Sequence, residues 1–222
     1  MLHLLQRKMI MPNWCSNVLT IKSTKEIVEK LRNDVNNAEA LENKEHDKGL
    51  FATLAPIPNY VEQDWYNLHN DYWGTKWDVP FAECYYADES ETTISMAFDT
   101  AWGPPTGVCK ALYTRLVQED PSVNIKCTFE EPGMNFIGLW ENLEHEEWDI
   151  TDLYVKLIDG NEEAKQFAAE LNTDLETLAQ NYFCIDSDTC HCYNCDPQNP
   201  VRGYQSGMEA DEEEDDKEED DK

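Results

Sequence analysis

Val18-Leu19-Thr20-Ile21, followed at once by Ser23-Thr24-Lys25-Glu26, is the stretch that decides the fold. The first four residues favour extended backbone and read as a short strand. The next four form a capping box, a hydroxyl residue with glutamate three positions on, and Ile27, Leu31 and Val35 then recur at four-residue spacing. The hydrophobic period therefore changes from two to about 3.6 within a few residues, which is a strand feeding an amphipathic helix. Working outward, Ala82 to Asp88 and Thr92 to Asp99 read as two strands about a tight polar turn, the second with Ile94, Met96 and Phe98 on one face. Pro105 opens a second helix, Val108, Leu112 and Leu116 give its buried stripe, and Asp120-Pro121 ends it. Val123, Ile125, Cys127 and Phe129 alternate with polar residues and make a fourth strand. The order βαββαβ predicts an α+β fold of split βαβ type, an antiparallel sheet with both helices on one face.

Around this core the chain divides into further segments. Glu131-Pro132-Gly133-Met134 turns the chain into a fifth strand over Asn135 to Trp140, and the domain is expected to span residues 11–141. Residues 37–80 are an aromatic loop insertion, too long for an idle connection, expected to fold over the core. Residues 142–208 are expected to form a small helical and Cys-rich appendage. Phe167, Leu171, Leu175, Leu178 and Tyr182 make the apolar face of a helix begun near Asn161. Residues 209–222 read as a disordered acidic tail. Residues 1–10 form an extension without the long apolar region of a secretory signal, and translation could equally begin at Met9 or Met11.

Charge narrows the choice of partner. The formal net charge is −29 over 222 residues, and the run from Glu209 to Lys222 supplies −9 of it, which leaves −20 on the remainder. Such a surface repels phosphates, so no direct nucleic-acid binding is expected. The same field attracts a basic protein, and that attraction weakens as salt shortens the screening length. The sequence holds no stretch of about 20 apolar residues, so no membrane span is expected and the cytoplasm is the expected location.

Three Trp motifs punctuate the chain: Met11-Pro12-Asn13-Trp14-Cys15-Ser16-Asn17, Trp73-Gly74-Thr75-Lys76-Trp77-Asp78 and Thr100-Ala101-Trp102-Gly103-Pro104-Pro105. Together with Glu130-Glu131-Pro132-Gly133 and Phe136-Ile137-Gly138, in this order, the set resembles the Api92-like or YubB-like proteins of phages and plasmids. The resemblance implies a ferredoxin-like topology without an iron–sulfur cluster, and a phage or mobile-element origin. It implies no particular activity. Trp14, Trp65, Trp73, Trp77 and Trp102 form either braces for loops or a recognition surface, with Lys76, Asp78 and Asp99 as the polar groups expected to face a ligand. Ala substitution at Trp73 or Trp102 is expected to destabilise the fold, by about 3–5 kcal/mol where the ring is fully buried.

The eight cysteines fall into two classes. Cys184, Cys190, Cys192 and Cys195 lie close together, with His191 as a substitute ligand, and can be read as a tetrahedral Zn²⁺ site or as reduced surface thiols. Cys84, Cys109 and Cys127 fall in expected strands and a helix and read as core residues. Cys15 has no neighbouring base to activate it as a nucleophile. Glu130-Glu131 and the Glu144 to Glu147 run read as solvated acid, and His69 as isolated. No phosphate-binding loop, dinucleotide fingerprint or nucleophile elbow is present.

The leading functional expectation is a non-enzymatic accessory protein that binds a basic or host-encoded protein through an acidic, aromatic surface. Action as an anti-defence inhibitor or DNA mimic is one version of it. A zinc module built on the four clustered cysteines, and an enzyme with its site between residues 37–80 and the sheet, are the alternatives. A perturbed titratable group in a concave site would favour the enzyme, and a flat aromatic patch the binder.

Overall fold

The computed structural model describes residues 13–42 and 49–171, and the chain divides into two compact units, the first ending at Asp149 and the second beginning at Ile150. In the first unit the elements follow in the order β1 (Trp14–Lys22), α1 (Lys25–Glu42), α2 (Leu50–Leu54), α3 (Trp65–Trp73), β2 (Tyr85–Ser90), β3 (Thr93–Ala101), α4 (Thr106–Leu116), β4 (Asn124–Glu131), β5 (Phe136–Glu141) and β6 (Glu144–Asp149). The sheet order is β2-β3-β1-β4-β5-β6, every neighbouring pair being antiparallel. Its first four positions are the expected split βαβ arrangement, to which β5 and β6 add a hairpin beyond β4. The second unit contains α5 (Ile150–Ile158) and α6 (Glu162–Leu171).

Strand alternation sets the core. Cys15, Asn17, Leu19 and Ile21 of β1 are buried, while Trp14, Ser16, Val18 and Lys22 between them are exposed. Registered against these inward positions, Ile94, Met96 and Phe98 of β3 and Ile125, Cys127 and Phe129 of β4 meet Ile27, Leu31 and Val35 of α1 and Val108, Leu112 and Leu116 of α4 in one apolar cluster. Each such side chain contributes roughly 1.5–3 kcal/mol by leaving water.

The start of α1 departs from the expected capping box. Thr24 accepts the first helical bond from the Val28 amide, and the Ser23 hydroxyl turns away to donate to Asp120 Oδ2 at 2.7 Å. The same oxygen accepts the Thr24 amide, while Oδ1 accepts the Ser122 amide and hydroxyl. A carboxylate distant in sequence thus replaces the local glutamate, and these donors hold the Asp120 carboxyl down to about 2.

Within residues 37–80, the described residues are largely helical where a loop is expected. α1 continues to Glu42, and α2 and α3 follow, with Leu50, Phe51, Leu54, Ala55, Trp73 and Val79 all buried in the main cluster. α3 ends at Gly74, whose φ of 82° is the left-handed cap that glycine adopts without a Cβ clash. Where α4 approaches α3, a Cβ on Gly107 would lie 2.1 Å from the Tyr72 carbonyl oxygen, so only glycine permits this seat.

The sheet also runs past Glu141, where the domain was expected to end. Asn142 and Leu143 both have positive φ, 46° and 81°, and join Glu141 to Glu144 across a two-residue turn. In the second unit, Gly160 (φ 77°) ends α5 with amide bonds from Gly160 to Leu157 O and from Asn161 to Lys156 O. The Asn161 side chain then accepts the Ala164 amide and caps α6, as its expected start near Asn161 requires. Phe167 and Leu171 of the expected apolar face are buried; Leu175, Leu178 and Tyr182 lie outside the described residues. Among the described residues, no helix is long and apolar enough to cross a membrane.

Candidate functional site

The three Trp motifs meet in space. Trp14 pairs with Ala101 across β1 and β3, and the Trp102 amide donates to Asn13 O at 2.9 Å. Buried Asn17 donates to Thr100 Oγ1 at 2.8 Å, and Thr100 donates onward to Gly103 O at 2.7 Å, which joins the first motif to the third. Thr75 of the second motif donates to Ala101 O at 3.2 Å. Asn17, Thr100 and Thr75 are thus spent on holding the motifs together, and the Trp rings take separate positions.

Trp73 is 3% exposed, packs edge-on against Phe51 and donates from Nε1 to Ala55 O at 2.8 Å. It is a core residue. Trp14, Trp77 and Trp102 are 48%, 37% and 39% exposed, and Trp65 is also at the surface. Trp102 does not meet the condition of full burial: it sits in a left-handed turn with φ 72°, and its ring is part-exposed.

The exposed rings are linked into a belt. The Trp14 and Trp77 centroids are 6.2 Å apart, and Lys76 Nζ lies 4.3 Å from the Trp77 centroid and 5.8 Å from that of Tyr66. Trp65 packs against Tyr66 and, at 5.5 Å, against His69, which also stacks on Tyr60. His69 lies 4.2 Å from Trp73 as well, and its Nδ1 is 3.0 Å from Lys76 O. Isolated in the sequence, His69 is the centre of this cluster. Trp65, His69 and Trp73 recur every four residues, and that spacing was the signal that one helix presents them together.

At one end of the belt is a concavity of about 310 Å³ lined by Trp14, Trp77, Pro80, Glu83, Asp99 and Asp78. Asp99 stands at its wall, with Oδ1 accepting the Ser16 hydroxyl at 2.9 Å. Asp78 is otherwise employed. Its Oδ1 accepts the Phe51 and Val79 amides at 2.6 and 2.7 Å, and its Oδ2 the Gly49 and Ala52 amides at 3.1 and 3.0 Å. Burial raises this carboxyl above the ordinary range, and the four amides act against that rise. Asp78 fastens the start of α2 to the chain leaving α3.

Glu131 is buried, contrary to the solvated reading of its run. It points to the covered side of β4 and accepts the Met134 and Gly133 amides, closing the turn into β5, and burial raises its carboxyl. Glu130 lies on the opposite face and is likewise raised by burial. Burial, with the neighbouring Cys127 and Glu131, pushes the Cys15 thiol far above the ordinary thiol range, which removes the thiolate a nucleophile needs. Among the described residues, Cys109 and Cys127 are core as expected, Cys84 is half-buried, and no group of three His, Cys, Asp or Glu side chains is arranged to hold a metal. Cys184, Cys190, His191, Cys192 and Cys195 lie outside the described residues.

No protein-family model matches this chain, and no curated protein matches it. Among solved structures it is similar to the crystal structure of a protein Api92 from Yersinia pseudotuberculosis, of the DUF1281 family, at 7% sequence identity and a TM-score of 0.42, over 63% of this chain and 98% of that one. That is the family which the Trp motifs resemble.

Proposed function

We propose that this protein is a non-enzymatic module that captures a basic protein through the aromatic belt. The observation that carries the reading is the joining of exposed Trp14, Trp77, Tyr66, Trp65 and Tyr60 through Lys76 and His69 into one surface. Exposed rings of this number are costly in water, and amphipathic aromatics are the residues that anchor interfaces. The net charge of −29 supplies the complement, since it draws a basic partner towards the belt and repels phosphates. Interference with a host protein during propagation of a phage or plasmid is the biological setting that the sequence resemblance suggests.

The enzyme reading has one observation in its favour, a concavity between residues 37–80 and the sheet that contains a perturbed carboxyl, Asp78. Asp78 spends both oxygens on four backbone amides, so it is fixed as a cap and is poorly placed to exchange a proton with a substrate. The binding reading therefore accounts for more of the surface. It is tested by titrating the whole chain with Arg- and Lys-rich polypeptides at low and high salt. Binding should weaken steeply with salt, and a Trp65→Ala, Tyr66→Ala double variant should weaken it at least tenfold with the melting temperature little changed. Equal binding of acidic and basic polypeptides would refute the proposal.

A further inference from the structure

Resting on that reading, we infer that the concavity between Trp14 and Trp77 is a receptor for a single arginine side chain of the basic partner. The two indoles are inclined at 36° with centroids 6.2 Å apart, a distance of direct ring contact, so together they form one aromatic wall of the concavity, an open-sided wedge. A planar guanidinium stacks on indole faces and is more weakly hydrated than an ammonium group, so it loses less on entering such a wedge. The Trp77 ring already holds a cation, Lys76 Nζ, at 4.3 Å from its centroid.

Carboxylates complete the receptor. Glu83 and Asp99 line the same concavity, and both are exposed. Ser16 is paired with Asp99 on one side and Glu130 on the other, which brings a third acid to this face of the sheet, one residue pair from Trp14. A guanidinium presents five donors in a fixed fork and can meet a carboxylate at its edge while its plane lies against a ring. At about 310 Å³ the concavity is at the small end of ligand sites and suits one side chain. The walls favour a cation, the acids favour one with many donors, and the surrounding charge delivers it.

The experiment uses the full chain labelled with ¹⁵N, following the indole N–H resonances while N-acetyl-arginine amide, its neutral isostere N-acetyl-citrulline amide and a Gly-Arg repeat peptide are added. The arginine amide should shift the Trp14 and Trp77 resonances saturably, and the citrulline amide should bind at least tenfold more weakly. Glu83→Gln with Asp99→Asn should weaken arginine binding about tenfold, whereas Lys76→Gln, which removes a competing cation, should strengthen it. Trp14→Ala should abolish the response at Trp77 in a chain that still unfolds cooperatively. If citrulline binds as well as arginine, or neither shifts these resonances, the inference is overturned. If the peptide binds tightly and is indifferent to Glu83→Gln with Asp99→Asn, the partner reading stands and the arginine receptor is wrong. If the arginine amide binds at the wedge while the peptide binds no tighter, the receptor stands and the basic-protein reading falls.

Discussion

On the helix-covered side of β1, Cys15, Asn17, Leu19 and Ile21 are buried beneath α1 and α4, whereas on the other side Trp14, Ser16 and Val18 stand at the surface. The same contrast divides the Trp residues. Trp73 fills the core and uses its N–H on Ala55, while Trp14 and Trp77 lie against each other at the surface and line a concavity. Residues of one type, on motifs that touch, thus serve stability on one side and availability on the other: strand alternation turns Trp14 outward, and Trp73 faces the core from the last turn of α3.

The contrast is broken most directly at Trp73. Trp73→Ala should lower stability by about 3–5 kcal/mol, read from chemical denaturation, because it removes a buried ring and orphans the Ala55 carbonyl. A loss below about 1 kcal/mol would place Trp73 with the surface rings. Gly107→Ala should cost about 1–3 kcal/mol, since the added methyl meets the α3 backbone and one helix must move.

The acids sharpen the same division through pH. Glu131, Glu130 and Asp78 have carboxyls raised by burial, so the folded chain binds protons there before the unfolded chain does, and stability should rise as pH falls from about 7 towards the ordinary carboxylate range. Asp120 has the opposite sign. Its stabilisation is complete above its ordinary value of 3.8 and is lost as pH falls to about 2. Melting temperature should therefore pass through a maximum on acidification. Glu131→Gln should flatten the rise, and Asp120→Asn should melt lower near neutrality but converge with the parent at the acid end. The smallest effect belongs to the exposed rings: Trp14→Ala should cost about 1–2 kcal/mol, less than Trp73→Ala, because nearly half of its surface is already in water.

The parts of this fold legible in the sequence are those with one buried face. α1, α4, β1, β3 and β4 each show a period of two or 3.6 because one side of each is in the core. β6 shows none. Glu144, His145, Glu146 and Glu147 are all exposed, so the strand exists through backbone pairing to β5 and leaves no apolar pattern. Its turn was hidden too, since Leu143 takes a positive φ at a position where glycine is the usual signal. At the site, Trp14, Trp77, Lys76 and Asp99 were readable as motif residues that come together. The capping role of Asp78 was not legible, because its partners are backbone amides around α2, and backbone donors carry no sequence signature. Glu83, Tyr60 and Tyr66 entered only through proximity.

The two ends of the sheet order carry one more consequence. β2 breaks register against β3 between Tyr86 and Asp88, and β6 at the far end is a strand of exposed carboxylates. A six-stranded antiparallel sheet with straight, neutral margins would invite further copies to add strand upon strand. Here an irregular ladder refuses a straight newcomer at one margin, and mutual repulsion between like chains refuses it at the other. The run of like charges on β6 therefore opposes edge-to-edge pairing of identical molecules along that margin.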